Sequence, residues 1–364
     1  MSKLWKCNAL DSLFFRDSSP YNAGEGGQGQ VAANFPPFMT TVQGAVRTAL
    51  AAGQGWSPEE QHKWPEELGT PEDLGELNLK GPYLFKGEEV LFPAPLLYLQ
   101  KKEGEKIACT FLVPGEKTKC DLGEKRLPQP VSPLKGAKAP GGYWLKKSGL
   151  EKVLAGQKPA EEDMQEQQSL WKTENRTGIG LDQDTRTTED RMIYYCAQVR
   201  PEKDVTLGVV VSGVPEEWHR QVPPVVSLGG EGRLAEITVE DNRKNILPSP
   251  VLTPEGGRIN FTVVLITPGY YEKNTGGVIK NGPPGIPGRC ISACIGRIQQ
   301  VGGWDIVNCR PRPLYPVIPA GSAWFFQAGE EEVDHIRSLH GKCLGMKTEY
   351  GFGQIVIGCW RDMK

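Results

Sequence analysis

The residues of this 364-residue chain that are best suited to chemistry are glycines and arginines rather than paired acids and bases. Two short loops, Gly229-Gly230-Glu231-Gly232-Arg233 and Gly351-Phe352-Gly353-Gln354, carry glycines at close spacing. Backbone without a Cβ lets N–H groups approach a phosphate or a ribose. Arg233 adds a planar fork that matches a phosphate or a base face. Glu231 opposes a phosphate, and instead suits a base amine, a 2′-hydroxyl or an arginine. The bland reading of either loop is a tight turn. At the end of the first apolar run, alternation puts Phe14 and Arg16 on one face and Phe15 and Asp17 on the other. Exposed aromatics and arginine on a sheet stack on single-stranded bases, at about 1–3 kcal/mol per base. The competing reading puts the Phe in the core and lets Arg16 and Asp17 close a turn.

Four more places offer cations. Arg47 follows the apolar Val46 in a predicted helix, and either lies on its surface or meets a phosphate in the groove between domains. Asn175, Arg176 and Arg186 flank the tip of a polar hairpin, NRTGIGLDQDTRTTEDR, whose own tip carries Asp182 and Asp184. The loop GGWDIVNCRPRPLY holds Trp304 and Asp305 on one arm and Arg310 and Arg312 on the other, with Pro311 and Pro313 keeping the second arm extended. Residues 101–147 hold eleven basic and five acidic side chains, net +6, either a solvated insertion or a patch facing phosphates.

Catalytic constellations are scarce. RNA cleavage without metal needs a poised general acid or base, and the chain has only His62, His219, His335 and His340. His335 and His340 stand five apart, off a common helical face. Cys290 and Cys294 offer two zinc ligands without a second pair. Four apart on a strand, they share one side and are expected in the core. No phosphate-binding P-loop, H-E-x-x-H or G-x-S-x-G pattern is present. The reading is a non-enzyme with no metal or cofactor.

The elements that would position these residues follow one order twice. KLWKCNALDSLFFRD reads as a strand. TTVQGAVRTALAAG reads as a helix with Val42, Ala45, Val46, Ala49 and Leu50 on one face. MIYYCAQVR and VTLGVVVSG read as a hairpin around PEKD, PEEWHRQV as a helical turn, and LAEITVE as a strand. The C-terminal third repeats the pattern: RINFTVVLITP, the helical GGVIKNG, a strand pair in CISACIGRIQQVG and VIPAGSAWFFQA, the helix EEEVDHIRSLHG, and IVIGCW. The expected fold is α+β, two ferredoxin-like (βαββαβ, RRM-like) domains: residues 1–250, with a large insertion at about 55–190, and residues 251–364. Within the insertion, SGLEKVLAG reads as a helix and the acidic EEDMQEQQSLW as exposed.

Composition narrows the partners. Lys plus Arg is 42 and Asp plus Glu is 44, so a uniformly basic nucleic-acid coat is excluded. Residues 51–90 hold nine acidic and three basic side chains, net −6. No apolar run reaches bilayer length, no secretory signal opens the chain, and the nine Cys are an odd, irregularly spaced set. A reduced, cytoplasmic protein without a membrane partner is expected.

LFFRDSSPY, PPFMTTVQGAVRTAL, NRTGIGLDQDTRTTEDRMIYY, SLGGEGR, GGWD, PAGSAWFF and GFGQIVIGCW, in this order along the chain, resemble the third subunit of the Cmr (type III-B CRISPR) effector complex, a RAMP-superfamily protein. The resemblance implies two ferredoxin-like RAMP domains and a non-catalytic subunit that grips the 5′ handle of the CRISPR RNA. It also implies docking on the large polymerase-like subunit and contact with the adjacent backbone RAMP subunit. A RAMP endoribonuclease that processes CRISPR RNA is the alternative. The residues expected at RNA are Arg16, Arg47, Arg176, Arg186, Gly229, Gly230, Gly232, Arg233, Trp304, Arg310, Gly351 and Gly353. Residues 55–175 show little resemblance and inherit no role.

Overall fold

The computed structural model describes residues 2–16, 33–104, 106–120, 123–181, 184–242, 245–305 and 310–361. Its architecture is mixed α/β, with many strands and few helices. The chain begins with β1 (Lys3–Ala9), α1 (Met39–Gly53), β2 (Asn78–Lys86), β3 (Glu89–Pro93), β4 (Tyr98–Glu103) and β5 (Lys106–Cys120). Next come β6 (Gly123–Pro130), β7 (Tyr143–Lys146), α2 (Lys147–Leu154), β8 (Met164–Glu166), β9 (Trp171–Leu181), β10 (Thr188–Pro201) and β11 (Val205–Ser212). Then follow β12 (Val225–Ser227), β13 (Leu234–Asp241), β14 (Pro254–Glu255), β15 (Arg258–Leu265), β16 (Gly269–Tyr270), α3 (Thr275–Asn281) and β17 (Arg289–Cys294). The last are β18 (Gln299–Val301), β19 (Trp304–Asp305), β20 (Arg310–Pro311), β21 (Tyr315–Ile318), β22 (Ala323–Gly329), α4 (Val333–Ser338) and β23 (Ile355–Cys359).

These elements sort into two compact units that interleave along the chain. One comprises residues 1–87, 168–242 and 301–314, the other residues 88–167, 243–300 and 315–364. Part of the expected insertion, residues 88–167, therefore clusters with the C-terminal third rather than with the strands that flank it in sequence.

The first unit has the strand order β12-β13-β1-β11-β2, with every adjacent pair antiparallel. Trp5, Val209, Val211 and Leu79 are fully buried in it. The predicted face of α1 is buried throughout, at Val42, Ala45, Val46, Ala49 and Leu50, and the helix packs on β2 and β12. Apolar residues three and four apart drive that docking. Two expectations are corrected here. β10 does not form a hairpin with β11; it pairs with β9, while β11 pairs with β1 and β2. The strand beside β11 is β2, which lies in the expected insertion. The first apolar run is also broken: β1 ends at Ala9, and residues 13, 14 and 16 make only isolated bridges, to Val199, Gly229 and Ala33.

The second unit contains the order β23-β15-β22-β17, again antiparallel, with β14 extending the β15 edge. One face holds a core of Ile259, Phe261, Val263, Leu265, Trp324, Phe326, Ile355 and Ile357, covered by Val278 of α3 and Ile336 of α4. On the other face the end of α2 lies so close that a Cβ at Gly358 would stand 2.6 Å from the Leu154 carbonyl, and β6 packs against β17. A bulge between Cys290 and Ser292 shifts the β17 register against β22. One extra residue inverts the alternation, so Cys290, Ala293 and Ile295 turn to the helix-covered core. Cys294 does not share a face with Cys290, contrary to the spacing argument. The acidic segment around 161–170 is also less exposed than its composition suggests. Asp163 is buried and bonded to Ser148, Lys152 and the Ala160 amide.

Candidate nucleic-acid interface

Residues 11–16 are the hub of the site. Leu13 exchanges backbone hydrogen bonds with Val199 of β10, at 2.7 and 2.8 Å. Next to it, the Phe14 carbonyl accepts from the Gly230 amide at 2.9 Å. The segment thus spans from the base of the β9–β10 hairpin to the turn that joins β12 and β13. That turn closes between Leu228 N–H and the Arg233 carbonyl at 2.8 Å. Gly229 has φ +86°, and a Cβ there would stand 2.4 Å from the Phe14 carbonyl, so the approach of the two backbones needs glycine at this position. Gly229, Gly230, Glu231 and Gly232 are exposed.

Three guanidinium groups converge on this hub. Antiparallel register sets Arg176 opposite Cys196, Glu174 opposite Gln198 and Lys172 opposite Arg200, so alternate residues of both strands share one face. Arg200 holds Asp11 at 2.8 Å and Glu174 in a close contact at Nε, with a second contact from Nη2 at 3.2 Å. Arg176 Nη2 donates to Ser12 Oγ at 3.1 Å and lies 3.6 Å from Asp11 and 3.5 Å from Glu174. Ser12 Oγ in turn donates to the buried Gln198 at 2.6 Å. Arg233 Nη1 reaches Asp11 at 3.3 Å, and its buried Nε–H finds no acceptor among the described residues. The Arg200 guanidinium, with help from the Ser12 amide, holds Asp11 below the usual carboxylate range, and Arg200 does the same for Glu174. Both carboxylates are ionised at neutral pH, so the network of Arg176, Arg200, Arg233, Asp11 and Glu174 carries one net positive charge.

The structure therefore brings together Arg176, Gly229, Gly230, Gly232 and Arg233, with the exposed Arg16 at the far end of the same segment. Arg200 and the two carboxylates were missed by sequence reasoning. Other predicted residues do not join. Arg47 is only 7% exposed; it donates to the Thr70 carbonyl at 2.7 Å and lies over the Trp64 ring at 5.3 Å. It fixes the loop after α1 rather than facing an RNA groove. Arg186 is exposed with φ +55°, at the hairpin tip. Trp304 and Arg310 form a separate two-stranded ribbon, in register with Pro311 and Asp305, and Trp304 is 55% exposed. Arg312 also belongs to this ribbon, donating its amide to Gly303 at 2.9 Å. Asp17 and Asp182 lie outside the described residues, as does the Asp305 side chain.

The second glycine loop is a different object from the first. Residues 351–354 are all buried. Gly353 donates to the Pro268 carbonyl at 2.7 Å, and Leu344 N–H donates to Gly353 at 3.0 Å. Gly351 accepts from Thr267 Oγ1 at 2.7 Å. These glycines let three backbone segments meet, so the loop is a packing joint and not an RNA cradle.

Two histidines are also absorbed by the fold. Trp5 Nε1 donates to Nδ1 of the buried His219 at 3.0 Å. His340 accepts from Ile357 N–H at 3.0 Å through Nδ1, which leaves Nε2 to donate to the Pro248 carbonyl at 2.8 Å. Burial depresses the pKa of both below the ordinary 6.5. A His that resists protonation when folded binds its proton more readily when unfolded. Its stabilisation is complete above the unfolded pKa and declines as pH falls below it. The urea midpoint is expected to be flat between pH 8 and 7 and to fall once pH drops below ~6.5. His219→Gln, whose amide oxygen can accept from Trp5, should flatten part of that decline. An unchanged slope in this variant would show that His219 does not titrate on unfolding.

Comparison with known proteins agrees with this architecture. The family described as CRISPR-associated protein (Cas_Cmr3) matches residues 5–360. A chain from the cryo-EM structure of the Type III-B Cmr-beta bound to cognate target RNA is similar over 93% of this chain and 89% of its own, with 15% identity and a TM-score of 0.53. The corresponding structure with cognate target RNA and AMPPnP, state 1, gives 15% identity over the same shares and a TM-score of 0.50. No curated protein matches the sequence. Among the described residues, no helix is long and apolar enough to cross a membrane. With the match running across nearly its whole length, the chain belongs to the Cas_Cmr3 family of CRISPR-associated proteins.

Proposed function

We propose that the chain is a non-catalytic, cytoplasmic RNA-binding subunit that grips the 5′ handle of the CRISPR RNA and docks the large subunit and the adjacent backbone RAMP subunit. The observation that carries this reading is the convergence of Arg176, Arg200 and Arg233 beside the exposed Gly229–Gly232 turn. Cations in a planar fork and exposed backbone amides suit the phosphates of a single strand. Sequence information then resides in base pairing of the guide, and this surface holds its constant end. Two ferredoxin-like domains fit the strand connectivity. Numbered by chain order, β1, β2, β11 and β13 of the first unit and β15, β17, β22 and β23 of the second both stand in the order 4-1-3-2, with α1 or α3 after the first strand. His219 and His340 are each committed to packed partners, which removes two of the four histidines from the endoribonuclease alternative.

The test is binding of RNA bearing the guide's 5′ sequence, by the full chain and by the assembled complex, across a salt series. Each phosphate contact contributes a slope of about −0.7 in log K against log salt for single strands. Arg200→Ala and Arg233→Ala should each weaken binding about tenfold and flatten the slope by about one such contact. Unchanged affinity and slope in both variants would refute the assignment.

A further inference from the structure

The arginines of this cluster are not bare. Each already touches a carboxylate, and the carboxylates come from two different elements, Asp11 after β1 and Glu174 on β9. A surface built only to attract phosphate would have no use for anions at its centre. We propose that Asp11 and Glu174 are place-holders for RNA phosphate. In the free protein they hold Arg176, Arg200 and Arg233 in a fixed fan, and single-stranded RNA binds by exchanging its phosphate oxygens for part of those contacts. The proposal rests on the reading of this cluster as the RNA surface.

Geometry supports it in three ways. First, the donors outnumber the acceptors. Three guanidinium groups present fifteen N–H bonds, and two carboxylates cannot occupy them all. Second, the network is accessible. The side chains of Arg176, Arg200 and Asp11 are 43%, 43% and 50% exposed, so a ligand can reach them without unfolding the hub. Third, the frame is rigid where the anions are not needed. Ser12 and Gln198 hold each other at 2.6 Å, and Leu13 pairs with Val199, so the segment keeps its place when a carboxylate lets go.

The exchange has two consequences. Long arginine side chains lose rotamer freedom on folding rather than on binding, which lowers the entropic cost of association. The carboxylates also repel any phosphate that approaches without making the full set of contacts. That repulsion is a penalty against the wrong strand, and specificity is a difference between affinities. Asp11 and Glu174 act here as positioning and discriminating residues.

The experiment compares RNA of the guide's 5′ sequence with poly(U) of equal length, on the full chain carrying Asp11→Asn, Glu174→Gln or both. Removing one charge about 6 Å from a phosphate should raise poly(U) affinity about threefold, and both together about tenfold. The gain for the guide sequence should be smaller, so the discrimination ratio narrows and the salt slope for poly(U) steepens. Glu174→Asp keeps the charge and should not raise poly(U) affinity. If Asp11→Asn and Glu174→Gln instead weaken both RNAs as Arg200→Ala does, the carboxylates are scaffold alone and the exchange is wrong. If the arginine variants change nothing, the RNA surface itself is misassigned. Thermal midpoints on the same samples separate loss of fold from loss of binding.

Discussion

Gly353→Ala should lower stability by at least about 3 kcal/mol, whereas Gly232→Ala should cost only about 1 kcal/mol. Both glycines have positive φ, +74° and +60°. The left-handed conformation alone costs an alanine ~1–2 kcal/mol. What separates the two is the space around them. A Cβ on Gly232 meets nothing within 4 Å, while a Cβ on Gly353 would lie 2.1 Å from the Leu344 carbonyl oxygen. That neighbour is backbone and cannot swing aside. Leu344 N–H is bonded to Gly353, Gly353 N–H to Pro268, and Gln354 N–H to Thr267. Relief of the clash therefore breaks hydrogen bonds around a buried glycine. Urea denaturation of the two variants at neutral pH measures the contrast. Equal midpoints would mean that the two loops are the same kind of turn after all.

That contrast shows where the sequence was informative and where it was not. The two glycine loops look alike in letters because both need positive φ, and φ is a local property. Whether a loop is open or enclosed depends on residues far away, here Pro268 and Leu344, and no spacing rule reports it. The same division runs through the fold. α1 was legible because burial on one face imposes a 3.6-residue period. The C-terminal elements were legible because Gly or Pro bounds most of the runs, but CISACIGRIQQVG divides into β17 and β18 and VIPAGSAWFFQA into β21 and β22. β2 was hidden because NLKGPYLFK contains Gly81-Pro82, which reads as a strand breaker. The sheet accepts it through a register shift, with Gly208 opposite Tyr83 and Val210 opposite Lys80. Missing β2 then forced β10 into its place beside β11.

The site was half legible for a similar reason. Arg233 and Arg176 were visible as cations beside special backbone. Arg200 was not, since it ends an apolar run that reads as a core strand. Only the β9–β10 register puts it on the face of Glu174 and Arg176, and only the pairing of Val199 with Leu13 brings Asp11 to it. Arg47 illustrates the opposite error. A helix position next to an apolar face can bury an arginine if its head finds a carbonyl and an aromatic ring, and Thr70 and Trp64 supply both.

The second large effect belongs to Trp324. It is fully buried in β22, in the core between that sheet and α3, and its Nε1–H donates to the Val278 carbonyl at 2.9 Å. Trp324→Ala removes the indole and leaves a cavity that Ile259, Phe261 and Phe326 cannot collapse into while held by the sheet. The expected loss is about 3–5 kcal/mol. Trp324→Phe keeps most of the packing and deletes the donor. The Val278 carbonyl is not orphaned by this change, because Gly282 N–H also donates to it at 2.8 Å. The Phe variant should then lose about 1–2 kcal/mol, the sum of a smaller ring and one neutral hydrogen bond. Urea midpoints order the three proteins as native, Phe, Ala, with the larger step between Phe and Ala. If the two variants fall together, the indole N–H rather than its volume is what joins α3 to the sheet, and the helix should show faster amide exchange in both.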